Sequence, residues 1–139
     1  MTDGKGYNKG FFYQTEESAI IEKLSLKGVV YGSSWCGALV GINKGVIRNC
    51  ITKVEVKTAA APCAAFVGSN KGTIWNCIAL GSAAIGYTAA GHGPGFANVN
   101  DGTIKSSYAL ADTIEFAVGY KKGIDTAISR SSENLKTST

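Results

Sequence analysis

Charged and apolar side chains alternate strictly in Lys53-Val54-Glu55-Val56-Lys57, the period of a strand with one buried face. The run Val46-Ile47-Arg48-Asn49-Cys50-Ile51 is rich in β-branched residues and also predicts a strand. Asn-Lys-Gly and Asn-Asp-Gly triplets bound such runs, and their glycines predict tight turns with positive φ. Helical spacing is absent until the tail, which excludes the helical repeat families. Strand-turn-strand units are the predicted elements.

These units repeat. Cys36-Gly37-Ala38-Leu39-Val40-Gly41-Ile42-Asn43-Lys44-Gly45-Val46-Ile47-Arg48-Asn49-Cys50 recurs 27 residues later from Cys63 to Cys77. A third copy runs from Asn98 to Tyr108, Gly119 to Ile124 starts another, and Phe12 to Leu26 fits with two extra turn residues. The anchors Phe12, Val40, Val67, Ala97 and Val118 are 28, 27, 30 and 21 residues apart (40−12, 67−40, 97−67, 118−97). A competing register begins at Gly6, but its next step, to Gly41, is 35 residues.

A unit this short cannot close a core of its own, so the copies must stack. The leucine-rich horseshoe needs leucines that the chain lacks, and a propeller blade needs about 40 residues. The expected fold is therefore all-β: a parallel β-helix, or solenoid, of about four to five short rungs over residues 11–124. Residues 1–10 lead in, and the polar segment 125–139 is a cap or linker, with Ile124, Ile128 and Leu135 able to cover the last rung.

Rungs about 4.8 Å apart bring equivalent residues into ladders. Ile21, Ile47, Ile74 and Ile104 form one, expected to point inward with Phe12, Val40, Val67 and Ala97. Glu22, Arg48, Trp75 and Lys105 follow one residue later and point outward by strand alternation. Asn43, Asn70 and Asn100 form a ladder in the turn. That ladder is either a calcium or sugar site or a stack that satisfies turn backbone. The aspartate-bearing nonapeptide of calcium-binding β-rolls is missing.

The segments Gly37-Ala38-Leu39-Val40-Gly41-Ile42-Asn43 and Gly45-Val46-Ile47-Arg48-Asn49-Cys50 resemble the GLUG motif, a glycine-rich repeat of bacterial surface and secreted proteins that also occurs beside immunoglobulin A-cleaving metallopeptidases. The resemblance covers roughly residues 11–124. It implies a right-handed β-helix in an exported, often adhesive, protein of a bacterium or phage, and implies no catalytic residues. Extracellular or cell-surface location, within a longer chain, is the corresponding expectation.

Composition narrows the partners. Fourteen basic and ten acidic residues are scattered singly apart from Lys121-Lys122 and Glu16-Glu17, without the concentrated basic face that nucleic acid requires. No segment has the run of roughly 18 apolar residues needed for a membrane-spanning helix. The expected partner is a glycan or a host or cell-surface protein.

Candidate chemistry is sparse. Cys36 matches Cys63 and Cys50 matches Cys77, so each pair lies either within disulfide reach or in a reduced ladder of small buried side chains. Zinc is disfavoured because there is no CxxC pair and His92, the only histidine, stands in a glycine-rich loop. No cofactor is expected. Paired carboxylates, which a polysaccharide-acting β-helix enzyme would need, do not stack, because Glu22 is followed in its ladder by Arg48, Trp75 and Lys105. Threonines suited to ice binding recur at 73 and 103 but give way to Val46 and Ile20. The candidate site is a binding surface of Trp75, Arg48 and Lys105, extended by Trp35 and Tyr31. The alternative is that Trp75 covers the coil's flank.

Overall fold

The computed structural model describes residues 10–32, 36–58, 63–85, 96–110, 118–121, 124–125 and 128–130. These residues form parallel sheets with no helix among them. Each rung contributes a strand to each of three sheets. The first rung holds β1 (Phe12–Gln14), β2 (Ile20–Glu22) and β3 (Ser25–Gly32), and the second β4 (Val40–Asn43), β5 (Val46–Arg48) and β6 (Ile51–Thr58). The third holds β7 (Val67–Asn70), β8 (Thr73–Trp75), β9 (Ile78–Ala79) and β10 (Ser82–Ile85), and the fourth β11 (Ala97–Asn100), β12 (Thr103–Lys105) and β13 (Tyr108–Leu110). The fifth holds β14 (Val118–Lys121), β15 (Ile124–Asp125) and β16 (Ile128–Arg130), so strands run past residue 124. Leu135 lies outside the described residues.

The sheet orders are β1-β4-β7-β11-β14 and β15-β12-β8-β5-β2, with a third of β10-β6-β9-β13-β16 in which β3 also pairs β6. This is a parallel β-solenoid. Pairing of Phe12 with Val40, Val40 with Val67, Val67 with Ala97 and Ala97 with Val118 gives the first sheet the register expected from the anchor spacing. Ile20, by contrast, pairs with Val46, and the two additional residues of the first rung fall in its turn.

Alternation decides what is buried. Ile47, Ile74 and Ile104 are fully enclosed, as are Val40, Val67 and Ala97. Each buried isoleucine contributes roughly 2–3 kcal/mol by leaving water. Phe66 and Phe96 stack within the core at a centroid distance of 5.0 Å. Phe12 departs from the inward expectation: it is 40% exposed, because the first rung has no described rung above it to cover its ring.

The turns also differ from the sequence expectation. Gly45, Gly72 and Gly102 are not at positive φ. Their role is close approach, since a Cβ on each would run into the carbonyl oxygen of Ala19, Gly45 or Gly72 in the preceding rung. Left-handed backbone occurs instead one corner later, at Lys23, Asn49, Asn76 and Ser106, with φ of 55°, 55°, 51° and 47°. These stack as a column and turn each second-sheet strand into the third sheet, and asparagine tolerates that conformation better than most residues.

Asn43, Asn70 and Asn100 lie fully buried, and their side chains bond to one another. Asn43 Nδ2 donates to Asn70 Oδ1 and Asn70 Nδ2 to Asn100 Oδ1, both at 2.8 Å. The same amides donate to Gly45 O and Gly72 O at 3.2 Å. Thr15 ends the stack: its hydroxyl donates to Asn43 Oδ1 at 2.7 Å and accepts from the amides of Lys44 and Gly45. The ladder satisfies turn groups from rung to rung, as the structural reading of the sequence requires.

Candidate functional site

The second sheet is built from strands of two or three residues, so each described strand from β2 to β12 turns one residue inward and two outward. The inward residues are the isoleucines of the core. Outward stand two rows in register: Ile20, Val46, Thr73 and Thr103, then Glu22, Arg48, Trp75 and Lys105. The sheet therefore brings Trp75, Arg48 and Lys105 together as the spacing predicts. Trp35 lies outside the described residues, as does His92. Tyr31 belongs to β3 in the third sheet, where Lys57 Nζ lies 5.9 Å from its ring centroid, and so does not extend this row.

Within the row the four side chains have different surroundings. Arg48 Nε donates to Glu22 Oε2 at 2.8 Å, each side chain remaining about two-fifths exposed. Trp75 is 47% exposed in the next rung. Lys105, exposed in the rung after, forms no ion pair with any described side chain. The row's single described carboxylate, Glu22, is thus committed to Arg48.

Beside Trp75 runs a feature the sequence reading overlooked. Asn76 Nδ2 donates to Asn49 Oδ1 at 2.6 Å, and both amides are exposed. Asn76 Oδ1 and Asn49 Nδ2 are left facing solvent. The signal was present, because Asn precedes Cys in both strong copies of the repeat and is the residue type best suited to a left-handed corner. The hydroxyls of Thr73 and Thr103 border Trp75 on the other side, two residues before Trp75 and Lys105 along their strands.

All four cysteines are buried and unbridged: Cys50 and Cys77 lie in the core cluster behind this surface, Cys36 and Cys63 in a second cluster with Val54 and Val56. Cys50 and Cys77 follow the left-handed corner residues and share a column with Ser107. Each closes its corner on the carbonyl two residues back: Cys50 Sγ to Arg48 O and Cys77 Sγ to Trp75 O at 3.2 Å, Ser107 Oγ to Lys105 O at 2.8 Å. Turned from Trp75 O to Cys50 Sγ, the Cys77 S–H draws the Cys50 thiol down from 9.0 to about 7 against the cost of burial. The same bond and burial push Cys77 well above its ordinary value. Cys36 N–H donates to Cys63 Sγ at 3.0 Å, so that pair serves backbone satisfaction as well.

No family model, curated protein or solved structure matches this chain.

The remaining geometry lies away from Trp75. Between β9 and β10 the ladder to β6 is interrupted at Leu80 and Gly81, leaving a groove of about 270 Å³ lined by Gly28, Lys53, Val54, Glu55, Leu80, Gly81 and Ser82. Trp75, 47% exposed, does not line this groove. Among the described residues, no group of three or more His, Cys, Asp or Glu side chains is placed to hold a metal ion, and no helix is long and apolar enough to cross a membrane. What the Trp75 face offers chemically is an aromatic plane, cationic groups on the rungs to either side and hydrogen-bonding amides and hydroxyls along its edges. It can bind and orient a partner.

Proposed function

We propose that this chain is a non-catalytic β-solenoid interaction module whose contact face is the outer surface of the second sheet, centred on Trp75. The observation that carries the reading is a tryptophan left 47% exposed on a regular sheet whose core is filled without it. An indole there does little for folding, whereas tryptophan is among the side chains that dominate recognition surfaces. The resemblance to the GLUG repeat supports placing the module in an exported or cell-surface protein, as a stalk that carries this adhesive face. The stacked core supplies the rigidity such a face needs.

The test is binding of the chain and of Trp75→Ala to a glycan array and to intact cells. The wild-type chain is expected to bind at least one of these, and the variant to lose tenfold or more in affinity while keeping its thermal midpoint. Equal binding by both proteins, or none by the wild type, would leave only the stalk role.

A further inference from the structure

The row through Trp75 is electrostatically one-sided. On the N-terminal side the charge of Arg48 is answered by Glu22 at 2.8 Å. On the C-terminal side Lys105 forms no ion pair with any side chain that the structure describes, and it stands one rung from the indole and in register with it. The turn bordering the sheet adds Lys44 and Lys71 on the second and third rungs, with Asp101 on the fourth. The strand of Lys105 lies one rung, about 4.8 Å, from that of Trp75, so a ligand stacked on the indole reaches the next rung, where a neutral one would make no use of the ammonium group.

We propose that the ligand of this face is an acidic saccharide, with a sugar ring stacked on Trp75 and its anionic substituent, carboxylate or sulfate, on Lys105 Nζ. This rests on the reading of the Trp75 face as a contact surface and adds the chemical class and polarity of what binds there. The remaining groups fit a sugar. The Thr73 and Thr103 hydroxyls on one flank, with Asn76 Oδ1 and Asn49 Nδ2 on the other, supply donors and acceptors at the edges of a ring lying on the indole. Arg48 has a secondary part, since a ligand must compete with Glu22 for it. The anionic group therefore points toward the fourth rung.

The probes are oligogalacturonate, a sulfated dextran and neutral dextran, titrated against the wild type, Lys105→Gln, Arg48→Gln and Trp75→Ala, with thermal midpoints confirming that each variant folds. We expect tighter binding of an acidic probe than of neutral dextran, weakening with added salt. Lys105→Gln is expected to lower that affinity about tenfold and flatten its salt dependence, Arg48→Gln to lower it less, and Trp75→Ala to abolish it. Preference between the uronate and the sulfated chain identifies the anionic group. Equal affinity for neutral dextran, unchanged in Lys105→Gln but lost in Trp75→Ala, overturns the acidic-saccharide assignment and leaves the contact face standing. Binding of an acidic protein and of none of the glycans likewise overturns the assignment. Binding indifferent to Trp75→Ala removes the contact face itself.

Discussion

The buried asparagine ladder and the exposed row through Trp75 are built by the same stacking, one residue per rung in register, yet they are filled differently. Asn43, Asn70 and Asn100 repeat one residue because a carboxamide carries its acceptor and its two-hydrogen donor on separate atoms, so that Asn70 accepts from one rung while donating to the next and to a turn carbonyl. Glu22, Arg48, Trp75 and Lys105 never repeat, and the one bond between them is a solvent-exposed ion pair. Repetition inside marks what the coil needs to exist. Departure from repetition outside marks where the coil is free to serve a partner.

The ladder's middle residue gives the largest expected effect. Asn70→Leu forces a larger apolar side chain into the ladder, removes the Asn70 acceptor of Asn43 Nδ2 and the Asn70 donor to Asn100 Oδ1, and takes the amide from Gly72 O and Thr103 O, all inside the coil. Urea unfolding should show a loss of roughly 3–5 kcal/mol. Trp75→Ala, on the outer row, should cost under about 1 kcal/mol in the same measurement. Similar losses in the two variants would erase the distinction between the ladders.

Much of this architecture was legible in the residues. The anchor spacing gave the first-sheet register, and alternation gave the outward row, because stacking converts sequence offsets directly into neighbours. What misled was the glycine of the Asn-Lys-Gly triplet. Sequence cannot separate a glycine needed for positive φ from one needed because the preceding rung's carbonyl passes too close, and Gly72 is of the second kind. The Asn49–Asn76 pair escaped notice for a related reason: a left-handed residue at a corner is a backbone property, visible only once three sheets are known to meet there. That Phe12 is 40% exposed goes with its place in the first described rung, a position that the repeat pattern does not distinguish from Val40 or Val67.

The column of Cys50, Cys77 and Ser107, past the next corner of each rung, is buried yet varied, and its expected effect is intermediate. Cys50 ionises near 7 in the folded chain and at its ordinary 9.0 when unfolded, so its thiolate adds stability as pH rises from about 7 toward 9, and that contribution is lost as pH falls through about 7. Cys77 is shifted upward, so its thiol favours the fold below its ordinary value and opposes it as pH rises further. The thermal midpoint should therefore climb by a few degrees between pH 7 and 9 and fall above that. Cys50→Ser keeps a corner hydroxyl, as Ser107 does for Lys105 O, but removes the ionising sulfur. Its midpoint should lose the climb while changing little at pH 7. A wild-type midpoint that only falls from pH 7 upward would show that the pair does not share a proton in this way.

The smallest expected effect probes the outer row by its only internal bond. Glu22 and Arg48 meet at 2.8 Å, but their side chains are 43% and 39% exposed, so water screens the pair and each side chain gives up freedom to form it. Glu22→Gln should change the unfolding free energy by no more than about 0.5 kcal/mol, and added salt should shrink even that difference. The same substitution frees the Arg48 guanidinium beside Trp75, and if the face takes an acidic saccharide, affinity should rise by about two- to threefold. Stability and binding would then move independently, as an outer row devoted to a partner requires. A stability loss above about 1.5 kcal/mol would instead make the ion pair part of the scaffold, and the exposed row would differ from the asparagine ladder only in its exposure.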